Sequence, residues 1–354
     1  MINSLQSLRA IFSVMIFLTH YKIGESVLFE LGGDIGVAFF FILSGFFFYY
    51  SQEQGVKYGG VKGFVLRLSK LYPLHLLLFV ACVIIYQQGD FRIDILNLLL
   101  LQSWAPDTNI HFSLNAVSWY LSSLLFCYAM GGIILMLLWR YPRQFIIAFI
   151  VVMLIYVTIY LPYIQWCSDL SELSINYWTC IFPCVRLLDF CFGIILCRIL
   201  TNIKKLWFTA KYHNVRKFIQ WAIELNILGV FILFVLTANV IPQAYVSGVW
   251  WWLPISLLLF KAYVLVDWTG PLSYLENMPI IIKFGNISYS FYMLHYVIIE
   301  VFAPVLDKFS ISVESPILLL VITFTVTILV AYFMENFYVK PIAKYLKRLL
   351  YRSA

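Results

Sequence analysis

Arg9 and His20 lie eleven residues apart, at the two ends of one apolar stretch, Leu8 to Leu18. An ionisable side chain in a hydrophobic segment is costly and by default points to a function. At about 100° per residue, eleven residues is close to three helical turns, so the two side chains share a face about 16 Å apart. A guanidinium near one end of a membrane helix and an imidazole near the other suit two tasks. One is holding an anionic donor from one side; the other is acid–base chemistry part-way across. The same pair could also be two interfacial anchors that snorkel in opposite directions.

Other residues add chemistry of the same kind. Arg67-Leu-Ser-Lys70-Leu-Tyr-Pro73 places two cations at i and i+3, on one helix face. Arg recognises phosphate in a bidentate way and Lys acts as a point charge; the plain alternative is two more orientation charges. The run from Gly32 through Asp34 and Ser44 to Phe46 has glycines and a serine at helix-contact spacing, with Asp34 able to cap the helix. Ser118-Trp119-Tyr120 reads as an interfacial aromatic belt. Arg186 and Asp189 stand at i and i+3 and could neutralise one another. Tyr292 and His295 share a face of a late helix, where a buried, satisfied histidine is the ordinary reading. The seven cysteines have no metal-site spacing with a histidine nearby, so no metal is expected.

The elements that must position these residues follow from composition. The 354 residues are 63% hydrophobic, 19% aromatic and only 12% charged, with a mean hydropathy of +0.90. That is an all-α, polytopic membrane protein of about ten spans. The expected segments are 5–22, 31–51, 71–88, 117–138, 143–162, 179–198, 218–239, 247–266, 286–304 and 316–338. The first and sixth are the least regular, because they carry Arg9 and the group Pro183, Arg186 and Asp189.

Nineteen of the 24 Lys and Arg residues fall on one side of this arrangement. They include Lys57 to Lys70, Arg140 and Arg143, Arg198 to Lys217, Lys261 and Lys283, and the tail from Lys340 to Arg352. By the positive-inside rule both termini are cytoplasmic and the 89–116 segment is external. The net charge of +7 is then orientation charge and calls for no nucleic-acid partner. The N-terminus has no small-residue cleavage site, which makes it an uncleaved first helix. The 89–116 segment reads as a short interfacial or re-entrant helix followed by an aromatic loop. The basic 201–217 segment would lie against anionic lipid. The whole of 1–354 reads as one membrane domain.

Taken in order, these motifs resemble the acyltransferase-3 family of integral-membrane acyltransferases. The resemblance rests on Leu5-Gln-Ser-Leu-Arg9, His20, the Gly-Asp-x-Gly-Val to Leu-Ser-Gly-Phe run and Arg67-x-x-Lys70-x-Tyr-Pro. It extends through Ser-Trp-Tyr-Leu-Ser, Arg186-x-x-x-Phe190-x-x-Gly193 and Ile-Ser-Tyr-Ser-x-Tyr-x-x-His295, and so covers about residues 3 to 340. It implies transfer of an acyl group, usually acetyl, from cytoplasmic acyl-CoA to a hydroxyl of a surface polysaccharide or its lipid-linked precursor. Acetyl-CoA is then a co-substrate, with no permanently bound cofactor. Arg9 and His20 map onto the family's first-helix pair, and Arg67 and Lys70 onto its paired basic motif.

There are two departures. Lys70 stands where many members have Arg, and Leu124 stands where many have Glu. No esterase-like extracytoplasmic domain is expected here, so a step done by such a domain would need a partner protein. Supporting roles are expected for Asp34, Ser44, Trp119, Arg186, Tyr292 and His295, with Asp34 as a candidate to orient His20. The expected location is the cytoplasmic membrane. A glycolipid transporter or flippase with Arg9, Arg186 and His20 along its path is the competing reading, and a structural export subunit a third. Acceptor sugar, acyl group and oligomeric state stay open.

Overall fold

A computed structural model describes residues 2–23, 26–54, 60–87, 89–167, 175–209, 217–308 and 315–352. Lys57, Lys211 and Arg216, which contribute to the orientation argument, lie outside the described residues. The chain opens with α1 (Asn3–His20), a two-stranded turn (Lys22–Ile23 with Ser26–Val27), α2 (Gly32–Glu53) and α3 (Gly60–Tyr86). The 89–116 segment forms two short helices, α4 (Phe91–Leu98) and α5 (Thr108–His111). Each is started by an aspartate: Asp90 accepts from the Arg92 N–H and Asp107 from the Asn109 N–H, both at 2.9 Å.

Then come α6 (Trp119–Arg140), α7 (Pro142–Ile155) and α8 (Leu161–Trp166), the last two joined by a π-helical turn, Tyr156–Tyr160. A second π-helical turn, Tyr177–Ile181, precedes α9 (Pro183–Thr209). Phe182 is extended between them, as a residue before proline prefers, and Pro183 opens the new helix. The rest is helical: α10 (Lys217–Thr237), α11 (Gln243–Gly248), α12 (Trp252–Val264), α13 (Pro271–Glu276), α14 (Pro279–Gly285), α15 (Ser288–Lys308), α16 (Pro316–Met334) and α17 (Lys340–Arg352).

Among the described residues, eight helical segments are long and apolar enough to cross a membrane. The other two expected spans are helices as well, α1 and α15, but polar residues dilute their apolar character: Arg9 and His20 in one, Tyr292, His295 and Glu300 in the other. The segment Gly32–Glu53 has 72% of its most apolar window buried in protein, while Pro142–Trp166 has 11%. The first is therefore central and the second presents its apolar surface outward, toward lipid. At the centre α2 and α9 run in near-contact. A side chain at Gly45 would strike the Phe190 backbone, and one at Gly193 the Ile42 carbonyl.

The start of α1 is fixed by two hydrogen bonds. Ser4 donates to the Ala262 carbonyl at 2.6 Å and Ser7 to the Glu276 carbonyl at 2.7 Å. Beneath them Lys261 pairs with Glu276 and lies 3.7 Å from Glu224, all three buried. Glu224 also accepts the Leu272 and Ser273 N–H groups at 2.9 and 3.1 Å. Burial pushes the Glu276 carboxyl up to about 7, against the pull of Lys261. This buried cluster locks α10, α12 and α13 together and so sets the depth at which Arg9 enters the bundle.

Helix α3 begins at Gly60 rather than near 71, so Arg67 and Lys70 lie in its first turns and not in a loop. Reporter fusions should place the α2–α3 connection and both termini in the cytoplasm and the 89–116 segment outside. An external α2–α3 connection would separate Arg67 and Lys70 from any cytoplasmic donor.

Candidate active site

A cavity of about 160 Å³ opens between α1, α2, α3, α6 and α15. Its lining follows helical periodicity. Helix α2 contributes Val37, Phe40, Ser44 and Phe47, α6 contributes Tyr120, Leu124 and Tyr128, and α15 contributes Ser288, Tyr289 and Tyr292. Tyr120 to Tyr128 is eight residues, so the cavity extends about 12 Å along the bundle axis.

Arg9 lies in the wall at one end. Its Nε donates to the Ser288 hydroxyl at 3.0 Å, and among the described residues no carboxylate pairs with its guanidinium. The other N–H groups of Arg9 are thus left to serve something in the cavity. Arg67 stands at the same end, with its guanidinium 4.0 Å from the Phe48 ring centroid and 5.5 Å from that of Tyr128, a wall residue. Leu71, one turn further along α3, also lines the cavity, and its carbonyl accepts from the Tyr289 hydroxyl at 2.5 Å. Lys70 is exposed on α3 and does not line the cavity.

At the opposite end the wall is made by Ile16, Val37, Tyr120 and Tyr292. The Tyr120 and Tyr292 rings meet at 5.3 Å, and the Tyr292 hydroxyl donates to the Val117 carbonyl at 2.9 Å. One turn beyond Ile16 and Tyr292 come His20 and His295, whose rings face each other at 5.2 Å between centroids. Tyr296 closes on His20 edge-on at 5.4 Å. His295 is buried, and its Nε2 has no hydrogen-bond partner, which departs from the satisfied histidine expected at this position. Ser44 sits midway, its hydroxyl donating to the Phe40 carbonyl at 2.7 Å and within reach of the Tyr120 and Tyr128 hydroxyls.

Three expectations are corrected. Asp34 does not approach His20; its carboxylate faces Ser247, Gln243 and Arg186. Trp119 and Tyr120 are not an interfacial belt, since both are buried, and it is Tyr120 rather than Trp119 that lines the cavity. Arg186 lies outside the cavity lining and is consumed by the protein. It donates to the carbonyls of Cys180, Thr179 (3.0 Å) and Ser247 (2.8 Å) and pairs with Asp189, which in turn accepts from the Trp252 indole at 2.5 Å. Its place is structural because it ties the π-helical turn Tyr177–Ile181 to α11.

Ser288 and Tyr289 belong to the motif that ends at His295, with no role assigned to them from the sequence, and Tyr128 lies outside every motif read there. Tyr120, Leu124 and Tyr128 at i, i+4 and i+8 were a legible signal of one polar-edged face on α6. Leu124, at the position where the family resemblance anticipates a glutamate, is itself in the cavity wall.

Compared with known families, residues 2–335 match the model described as an acyltransferase domain. The chain belongs to the acyltransferase-3 family. It is also similar to Acyltransferase MdmB of Streptomyces mycarofaciens, with 26% identity over 283 residues that make up 76% of this chain and 68% of that protein. No solved structure matches. The protein is therefore a multi-pass, helical membrane acyltransferase.

Proposed function

We propose that this acyltransferase moves an acetyl or similar short acyl group from acyl-CoA on the cytoplasmic side to a hydroxyl of a surface polysaccharide or its lipid-linked precursor. The observation that carries this reading is the cavity itself. One continuous space joins a guanidinium with uncommitted N–H groups to a wall one helical turn from two facing histidines. Arg67 and Lys70 meet the CoA phosphates at the inner face, and Arg9 receives the donor where it enters the bundle. A largely apolar lining suits an acyl chain and its thioester, and the tyrosine and serine hydroxyls offer hydrogen bonds along the way. His20 takes the proton from the acceptor hydroxyl, which arrives from the outer side.

In this reading the enzyme sits in the cytoplasmic membrane and uses acyl-CoA as a co-substrate. An extracytoplasmic partner completes delivery where the acceptor demands it. The test is incubation of the purified, reconstituted protein with labelled acetyl-CoA and a panel of lipid-linked and free glycans. Label should move to the glycan with equal release of CoA. Movement of glycolipid across the bilayer without any dependence on acyl-CoA would instead establish the transporter reading.

Arg67→Ala and Lys70→Ala should each weaken acyl-CoA binding by at least about tenfold, since a charge-assisted hydrogen bond contributes roughly 1.5–3 kcal/mol. The KM for the glycan should hold steady. Lys70→Arg should be tolerated. Titration of acetyl-CoA against each variant decides the matter, and unchanged affinity in both alanine variants would remove the donor role from this motif.

A further inference from the structure

His295 is held on every side except one. Its ring stacks on Phe291 at 6.2 Å and 13°, and Phe17 and Tyr292 border it at 6.3 and 5.6 Å. Its Nδ1 lies 2.5 Å from the Tyr292 carbonyl. A carbonyl oxygen can only accept, so Nδ1 carries the hydrogen. In a neutral imidazole Nε2 then offers a lone pair, and this atom is the one left without a partner in the interior. The nearest ring that can supply an N–H is His20, 5.2 Å away between centroids and tilted by 44°. His20 is the last residue of α1 and only partly buried, so it can turn, while His295 cannot.

We propose that His295 is a positioning residue that fixes the tautomer of His20; this rests on the acyltransferase reading above. One N–H of His20 donates to Nε2 of His295. The second nitrogen of His20 is then obliged to carry a lone pair, and it points that lone pair at the acceptor hydroxyl. During transfer the hydroxyl O–H bond breaks and its proton moves to that nitrogen. The oxygen bonds to the acyl carbon as the carbon–sulfur bond breaks, and the departing CoA sulfur takes the proton from His20. His295 gains and loses no proton. It holds the imidazolium by the same hydrogen bond and keeps the ring oriented for the next cycle. The chain Tyr292 carbonyl, His295, His20 thus does with a backbone carbonyl and a second imidazole what a buried carboxylate does for a catalytic histidine elsewhere.

The experiment compares wild type with His295→Phe and His295→Gln. Phenylalanine keeps the ring volume and removes the acceptor, whereas the glutamine carbonyl can restore an acceptor near Nε2. His295→Phe should lower kcat by about 100-fold or more with both KM values within about threefold, and His295→Gln should recover at least about tenfold of that loss. A purely packing role would be met better by Phe than by Gln, so the opposite order overturns the proposal. Nitrogen-15 spectra of histidine-labelled protein read the His20 tautomer with no substrate present. A single His20 tautomer should be seen in wild type and His295→Gln, and a mixture in His295→Phe. An unchanged His20 pattern in His295→Phe refutes the pairing, even if acyl transfer has never been detected. Absence of transfer in wild type with the expected spectra would instead refute only the acyltransferase assignment of substrates.

Discussion

His20→Ala is expected to lower kcat for acyl transfer by about 10²–10⁴-fold, the range lost when a positioned general base is removed. The protein should still insert and fold. His20 ends α1 and is partly exposed, and among the described residues it takes part in no ion pair, so its loss costs the fold ring contacts with His295 and Tyr296 and the one hydrogen-bond donor proposed for His295. Acyl-CoA binding should also persist, because the cations proposed for the donor, Arg9 and Arg67, lie at the other end of the cavity. Transfer of labelled acetyl groups, together with thermal unfolding in detergent, measures both halves. A variant that keeps near-normal turnover would make His20 an interfacial anchor and remove the base from the scheme.

The second large effect separates two arginines that look alike in the sequence. Arg186→Leu should destabilise the protein by roughly 3–5 kcal/mol, the cost of breaking a buried ion pair by removing one partner. The change leaves Asp189 without its counter-charge in the interior and leaves the carbonyls of Cys180, Thr179 and Ser247 without their donor. Asp189→Asn added to Arg186→Leu should restore part of the loss. Arg9→Leu should do the reverse: thermal stability closer to wild type, because it gives up the Ser288 hydrogen bond and a longer-range attraction to Glu335 but, among the described residues, no ion pair, and severe loss of acyl transfer. Unfolding curves and transfer rates on the same preparations give the answer. If Arg186→Leu unfolded at the wild-type temperature while losing only activity, Arg186 would belong to the site.

Much of the site was legible because membrane segments punish polar residues. Arg9, His20 and Tyr292 stood out against apolar surroundings and Arg67 by its spacing from Lys70, and each falls in or beside the cavity or the histidine pair. The same signal misled at Asp34, and at Arg186 it was the expected pairing with Asp189 that held and not a place in the cavity, since an expensive buried charge can be retained for holding helices together as well as for chemistry. Sequence spacing marks a charge as inside. It does not say whether the protein or a substrate will answer it, and that depends on whether carbonyls and carboxylates from other helices converge on it. They do so on Arg186 and do not on Arg9.

Hydropathy and helical period by themselves determined an all-helical membrane protein and the location of its spans, because the bilayer forces each segment to satisfy its own backbone hydrogen bonds. They also placed Arg9 and His20 on one helix face. Which residues meet across helices was left to the tertiary structure. His20 and His295 are far apart in the chain, and nothing local specifies that their rings face at 5.2 Å or that Nε2 of His295 is left open. That meeting follows from the contacts that fix how deep α1 sits, Ser4 on Ala262 and Ser7 on Glu276, and from the packing of α15 against it. Contacts made across long loops set depth and rotation, and a pattern read along a single helix contains neither.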